Sequence, residues 1–468
     1  MGKIRVGLLS FSDGRPSVHQ TLADYIAGQE ARLRQALEAT GQVEVLLPPS
    51  GAVCSNRLAS VCAREIKAQL PDAMVFNVPV FAYPNFCVVT ESILQLPVLV
   101  ISNVNGGLPG LGGLQAACNF LRQCGYACKK VWGDISEPAV LDGCMSFLRA
   151  AYAANQLRGQ VFGLIGGRSI GMGSGSASPD LWQRVFGVDV DHTDQSEILH
   201  RAGLVDEERV ERAFTWLSEC AQVRYDGEKL TPESLREQLR CYYATKSVCE
   251  EKNYSFIGVK CHDELSAHAC TQCLSAAFFN DPYDWDGPKE PCVFSCEADC
   301  DGGLTMQILK LITGMPAAFA DFRYYNREED LLYLCNCGAM ATWFAARSSK
   351  PEENLAQVSL VPIIPKYAGK GSHVFYIAKE GPMTFCRLTH NAQGFVLTAF
   401  TGTARRAAPE ELEQTCPVWP HMVVRPDAAY AEILGQYDCN HIHAVCGDWI
   451  RELREFCLLK DIPFRHIC

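Results

Sequence analysis

Three short segments concentrate side chains that could do chemistry. Phe294-Ser-Cys-Glu-Ala-Asp-Cys-Asp-Gly-Gly303 reads as a strand ending in a turn dense with carboxylates. Pro316-Ala-Ala-Phe-Ala-Asp-Phe322 is strand-like and carries one carboxylate, Asp321, among apolar neighbours. An acid in such a run is costly to bury unless it pairs or ligates; its plainer reading is a strand-end aspartate capping a turn. Cys439-Asn-His-Ile-His-Ala-Val-Cys-Gly-Asp448 precedes a helix, and its two histidines, His441 and His443, are expected on opposite faces of an extended segment. Two carboxylates and an imidazole suit a divalent transition ion such as Mn²⁺ with open positions for a substrate.

Cysteines crowd the same region: Cys261, Cys270, Cys273, Cys292, Cys296, Cys300, Cys335 and Cys337. Cys270-Thr-Gln-Cys273 has the spacing of zinc or iron–sulfur ligands. A second C-x-x-C is missing, and Cys292, Cys296 and Cys300 suit i, i+4 packing on a helix equally well, so reduced core thiols are the plainer reading. The histidines of His262-Asp-Glu-Leu-Ser-Ala-His268 are six apart, not the four of a zinc-protease helix. No G-x-G-x-x-G follows the first strand, and Asn105–Gly113 lacks the Lys-Ser/Thr ending of a P-loop.

The elements that must position these residues fall into three expected blocks. In residues 1–158, Ile4–Leu9, Val43–Leu47, Met74–Val78 and Val98–Ser102 read as buried strands between helical stretches, which predicts a parallel sheet with helices on both faces. The pattern restarts in residues 159–335, from Gln160-Val-Phe-Gly-Leu-Ile to Phe256-Ile-Gly-Val. In residues 336–468, Gln357–Ile364, Val374–Lys379, Thr384–Thr389 and Gly394–Phe400 lack intervening helices, which predicts a mostly antiparallel, barrel-like domain closed by the helix Asp448–Leu459. The expected fold class is α/β: two parallel-sheet, Rossmann-like domains followed by that β-rich domain.

Composition agrees with a large folded protein. The chain has 468 residues, 48% hydrophobic and 20% charged, enough for several cores. Its 42 basic and 53 acidic residues give −11, which argues against nucleic-acid or anionic-membrane partners. Neither a secretory signal nor an 18-residue apolar run is seen, so a cytoplasmic protein with its 24 cysteines reduced is expected.

Taken in order, the motifs resemble the L-fucose isomerase family and, more distantly, L-arabinose isomerases. The matching segments are Ser12-Asp-Gly-Arg15, Asn105-Gly-Gly-Leu-Pro-Gly110, Gly167–Ser176, Tyr283-Asp-Trp-Asp-Gly287, Cys296–Gly303, Phe319-Ala-Asp-Phe-Arg323, Leu334-Cys-Asn-Cys-Gly338, Gly381–Leu388 and Asn440-His441. The resemblance implies an aldose–ketose isomerase using an enediol mechanism. Glu297, Asp321 and His441 would hold Mn²⁺ (Co²⁺ and Mg²⁺ being alternatives), and Glu297 and Asp321 would also serve as acid and base. His443 is the alternative imidazole. Arg15, Met172, Asn336 and Arg387 are the implied substrate-binding residues, in a homo-hexamer with sites near subunit interfaces. The chain is shorter than the long fucose isomerases and its end differs, so an aldose other than L-fucose or D-arabinose fits the resemblance too. Arg168, Arg323 and Arg387 are candidates to meet a sulfonate or phosphate on it. The competing classes are a non-catalytic sugar-binding protein of the same fold and an iron–sulfur or zinc protein built on Cys261–Cys300.

Overall fold

The computed structural model describes residues 2–105, 107–337 and 339–468. Met1 and the motif glycines Gly106 and Gly338 lie outside the described residues. The chain divides into two compact units, Met1–Gln156 with Arg451–Asp461, and Leu157–Ile450 with Ile462–Cys468.

Five parallel strands form the first unit's sheet, in the order Val43–Leu46, Ile4–Ser10, Ala73–Asn77, Val98–Ser102, Cys128–Trp132. Alternation along the second of these explains its two cores. Ile4, Val6 and Leu8 join Leu33, Leu37, Phe147 and Leu148 of the helices Pro16–Ala39 and Pro138–Gln156. Leu9 and Phe11 turn the other way, to Cys62, Ile66, Phe86 and Leu114. This is the expected α/β layer structure. Residues 451–461, which take in the closing helix Ile450–Lys460 from its second residue and then Asp461, belong to this unit. Ion pairs fix them there: Lys129 with Glu455, and Arg149 Nη1 with Glu452 Oε1 at 3.0 Å.

The second unit holds a four-stranded parallel sheet, Phe294–Ser295, Phe256–Val259, Val161–Ile165, Asp189–Thr193. It also holds an antiparallel sheet in the order Gly381–Asn391, His441–Cys446, Ala318–Asn326, Leu331–Cys335, His421–Pro426, Gly394–Arg405. Pairing of Gly381–Asn391 with Gly394–Arg405 closes these strands into a barrel, and Phe464–His466 adds a parallel edge. Closure removes the unpaired edges an open sheet would leave. Two barrel strands come from before residue 336. Two expected strands stay out of it: Ser359–Pro362 and Ser372–Phe375 pair with each other and with Gln222–Val223 in a separate sheet. Among the described residues no helix is long and apolar enough to cross a membrane.

Candidate active site

Barrel register brings the first two groups together. His441 opens its strand directly opposite Asp321, so both side chains leave the same face. Cys335 and then His421 continue that row across two further strands. Glu297 arrives from the parallel sheet, in the turn Cys296–Ala298 that follows Phe294–Ser295. Asn280 pins that edge strand, its amide donating to Phe294 O at 2.9 Å and accepting from Phe294 N at 3.2 Å. Glu297 has φ 59° and Ala298 φ 55°, left-handed conformations that cost about 1–3 kcal/mol each in non-glycine residues. Here they reverse the chain so that the carboxylate faces the barrel row. In open α/β sheets ligand groups gather beyond the carboxyl ends of strands. His262 and the Gly167–Ser176 loop follow such ends too, and Ser169 Oγ donates to His262 O at 3.1 Å.

His441 is the hub. Its Nδ1 lies 2.6 Å from Asp299 Oδ2, and because a carboxylate only accepts, Nδ1 carries the proton. Nε2 is left to face Glu297 Oε2 at 3.6 Å and Asp321 Oδ1 at 3.4 Å. Burial alone would lower this imidazole's pKa. Hydrogen bonds to Asp299 and Glu297, with the charges of Asp299 and Asp321, carry it instead up to about 10. Burial pushes Asp321 up to about 7 against the pull of His441, a shift tempered by the third of its side chain that stays open to solvent. Asn440 Nδ2 donates to Asp321 Oδ1 at 3.2 Å.

Asp299, fully buried, was not singled out by sequence reasoning. It caps the helix Cys300–Thr313, accepting from Gly302 N at 2.9 Å, and takes both Arg387 Nη1 and Nη2, at 2.6 and 2.9 Å. Its burial would raise its pKa, but the charge of Arg387 and the bond from His441 hold it far below the usual carboxylate range. An aspartate two residues after the candidate glutamate, just before Cys-Asp-Gly-Gly, is a helix N-cap signal that could have found it.

Arg387, expected among substrate-binding groups, is 1% exposed and its guanidinium is committed to Asp299. The position buries it between helix and barrel, where only a paired charge is tolerated. His443 shares a face with His441, as period-two alternation requires, and not the opposite face expected. Phe319 touches both rings, at 4.6 and 4.9 Å. His443 Nε2 accepts from Arg387 Nη1 at 2.9 Å, and burial beside that cation keeps the ring neutral, so this nitrogen is taken.

Asn336 is buried; its Oδ1 accepts from Ala339 N at 2.8 Å. Met172 is half-buried and Arg168 exposed, both in the Gly167–Ser176 loop. Arg15, in the first unit, is exposed and forks onto Asp13, with Nη2–Oδ2 at 2.7 Å.

The thiols lie beside Glu297 in a different state. Cys296 and Cys337 Sγ atoms are 3.3 Å apart, and Cys273 Sγ is 3.2 Å from Cys337 O and 3.5 Å from His373 Nδ1. Cys270 turns away to Cys241, 3.5 Å between sulfurs, so the C-x-x-C pair does not converge. All 24 cysteines are free. Among the described residues no group of three or more His, Cys, Asp or Glu is closed up as a ready metal cage. The oxygen and nitrogen donors instead converge pairwise on His441 Nε2. Their chemistry fits a hard divalent ion: Nε2 is the imidazole's outward nitrogen, Asp299 fixes the tautomer from behind, and such an ion would satisfy the two carboxylates that face that nitrogen.

A parallel-sheet platform, an antiparallel barrel and a carboxylate–imidazole cluster make up the second unit, and the proteins this chain resembles are sugar isomerases. A model of the first N-terminal domain of L-fucose isomerase matches residues 3–159, and one of that enzyme's C-terminal domain matches residues 334–467. The chain belongs to the L-fucose isomerase family. Neither match includes the segments carrying Glu297 and Asp321. A sulfoquinovose isomerase of Alkalicoccus urumqiensis is 24% identical over 406 residues, covering 84% of this chain and 85% of that one. An L-fucose isomerase of Streptococcus pneumoniae serotype 4 is 25% identical over 381 residues, covering 68% of this chain and 64% of that enzyme.

Proposed function

We propose that the chain is a divalent-metal-dependent aldose–ketose isomerase, with Glu297, Asp321 and His441 as ligands for Mn²⁺. The observation that carries this reading is the placement of His441 Nε2, between two carboxylates from different sheets while Nδ1 is tied to Asp299. A bound divalent ion supplies stabilisation of the negative charge that develops on O1 and O2 of the open-chain sugar. Glu297 and Asp321 share the two proton movements of the reaction, C2 to C1 and O2 to O1. Asn440 and Asp299 hold Asp321 and His441 in place while this happens. The His262 ring, 3.5 Å from Glu297 Oε1 and stacked on Tyr367 at 4.9 Å, packs beside that carboxylate.

The test is isomerisation in D₂O with Mn²⁺. A carboxylate-borne proton exchanges with solvent, so deuterium is expected at C1 of the ketose. Product free of deuterium would point to a hydride shift and remove Glu297 and Asp321 as carriers. The same similarity to sulfoquinovose and L-fucose isomerases supports a hexose-sized substrate.

A further inference from the structure

We propose that Cys296 and Cys337 are an oxidation-sensitive pair, closed to a reversible disulfide by hydrogen peroxide, and that closing it draws Glu297 away from the candidate metal site. The inference rests on the isomerase reading above for what Glu297 does, but the thiols carry it. Their Sγ atoms stand 3.3 Å apart. Cys296 opens the turn Cys296–Ala298 and is the residue before Glu297, while Cys337 lies two residues past the barrel strand Leu331–Cys335. The pair therefore spans the same gap, from parallel sheet to barrel, that Glu297 crosses to face His441 Nε2.

Two observations separate this pair from ordinary core thiols. Cys241 and Cys270 also bring their sulfurs close, to 3.5 Å, but they line no part of the cavity that Cys296 and Cys337 share with Cys261, Cys273, His262 and Glu297. The Glu297 side chain keeps 15% of its surface exposed. An oxidant small enough to reach that carboxylate therefore meets the two sulfurs, which sit in residues 7% and 9% exposed. The second observation is chemical. Hydrogen bonds from Cys273, Cys296 and His262 hold the Cys337 thiol well below the usual cysteine range, against its burial. The thiolate is the form of cysteine that attacks peroxide.

The Cys337 sulfur attacks one peroxide oxygen: an S–O bond forms as the O–O bond breaks, water leaves, and the cysteine becomes a sulfenic acid. The Cys296 sulfur then attacks the Cys337 sulfur. An S–S bond forms, the S–O bond breaks, and a second water leaves with the Cys296 thiol proton. The two thiols lose two electrons and the peroxide gains them. An S–S bond is about 2.05 Å long, so the sulfurs must close by about 1.3 Å. The turn is the side that yields. Glu297 and Ala298 already hold left-handed backbone, whereas Asn336 Oδ1 fastens the Cys337 loop by accepting from Ala339 N at 2.8 Å. Glu297 moves with its neighbour Cys296.

The experiment treats the full chain with hydrogen peroxide, alkylates the thiols that remain free, and maps the peptides by mass spectrometry. Mn²⁺ affinity is measured by calorimetry before and after. The peptides holding Cys296 and Cys337 should be joined, two hydrogens lighter than their sum, with Cys241 and Cys270 still alkylated. Mn²⁺ affinity should fall by about tenfold or more and return with dithiothreitol. Cys337→Ser should keep Mn²⁺ affinity within about twofold, before and after the same treatment. Alkylation of both Cys296 and Cys337 after peroxide overturns the inference, as does a bridge to another cysteine or a Cys296–Cys337 bridge that leaves Mn²⁺ affinity unchanged. Oxidation that weakens Mn²⁺ binding in a protein whose reduced form converts no aldose upholds the inference and contradicts the isomerase reading instead. If the reduced protein binds no Mn²⁺, that reading fails and the bridge in the peptide map alone decides this inference.

Discussion

The two parallel-sheet regions bury carboxylates in opposite ways. Glu91, on the helix Pro84–Leu94 of the first unit, is 4% exposed and its Oε2 has no partner, so burial pushes its pKa up to about 8. Asp299, after the second parallel sheet, is just as buried but accepts from Arg387, His441 and Gly302 and is held ionised. The first acid is tolerated by staying neutral; the second is wired so that it orients an imidazole. Burial alone therefore does not mark a site. The candidate site instead has a buried charge whose partner leads on to further acids, as Asp299 leads through His441 to Glu297 and Asp321.

Substitutions sharpen that contrast. The largest effect is expected at the free end: Glu297→Gln should cut kcat by about 10³ or more, with Tm near wild type, measured by steady-state isomerisation. One step back, Asp299→Asn should weaken Mn²⁺ binding by about 10–100-fold. It should also cost about 3–5 kcal/mol of stability by stranding Arg387, read by calorimetry and urea melts.

Glu91→Gln should do the reverse. Because the folded pKa of about 8 exceeds the usual 4.5, wild type binds the extra proton only when folded. Its stability then falls as pH rises from 4.5 to 8. The variant should flatten that slope and gain on the order of a few kcal/mol above pH 8, with no change in Mn²⁺ affinity. Smallest of all, replacing Cys270 and Cys273 with Ala should change Mn²⁺ affinity by less than about twofold, because those sulfurs bond to Cys241, Cys337 and His373 and not to the carboxylate–imidazole cluster; loss of metal would revive the thiolate alternative.

The sheets could be read from the chain because short β-branched runs between helices admit few other arrangements, and alternation such as Ile4, Val6, Leu8 against Leu9 and Phe11 is local. The segments holding Glu297, Asp321 and His441 stood out because acids and histidines in apolar strands need partners. The common face of His441 and His443 follows from the same alternation, so the expectation of opposite faces misreads period two. Other features are not local. The left-handed backbone at Glu297 is stabilised by the surroundings and not by its residue type. Arg387 looks like a surface arginine until the barrel closes around it. The barrel draws Ala318–Asn326 and Leu331–Cys335 from chain that reads as part of the central sheet, because strand partners are chosen in three dimensions. The bulge at Arg323 likewise has no glycine to announce it.

The central claim is that Glu297, Asp321 and His441 act together as a metal-bearing isomerase centre. Its most direct test is to strip the protein with chelator and titrate Mn²⁺ back while following both bound metal and turnover of a panel of neutral and anionic aldoses. Turnover is predicted to be absent in stripped protein, to rise with metal bound and to saturate at equal molar amounts, and to stay absent in Asp321→Asn at the same Mn²⁺. Full turnover without metal, or tight Mn²⁺ binding with no aldose in the panel converted, would contradict it.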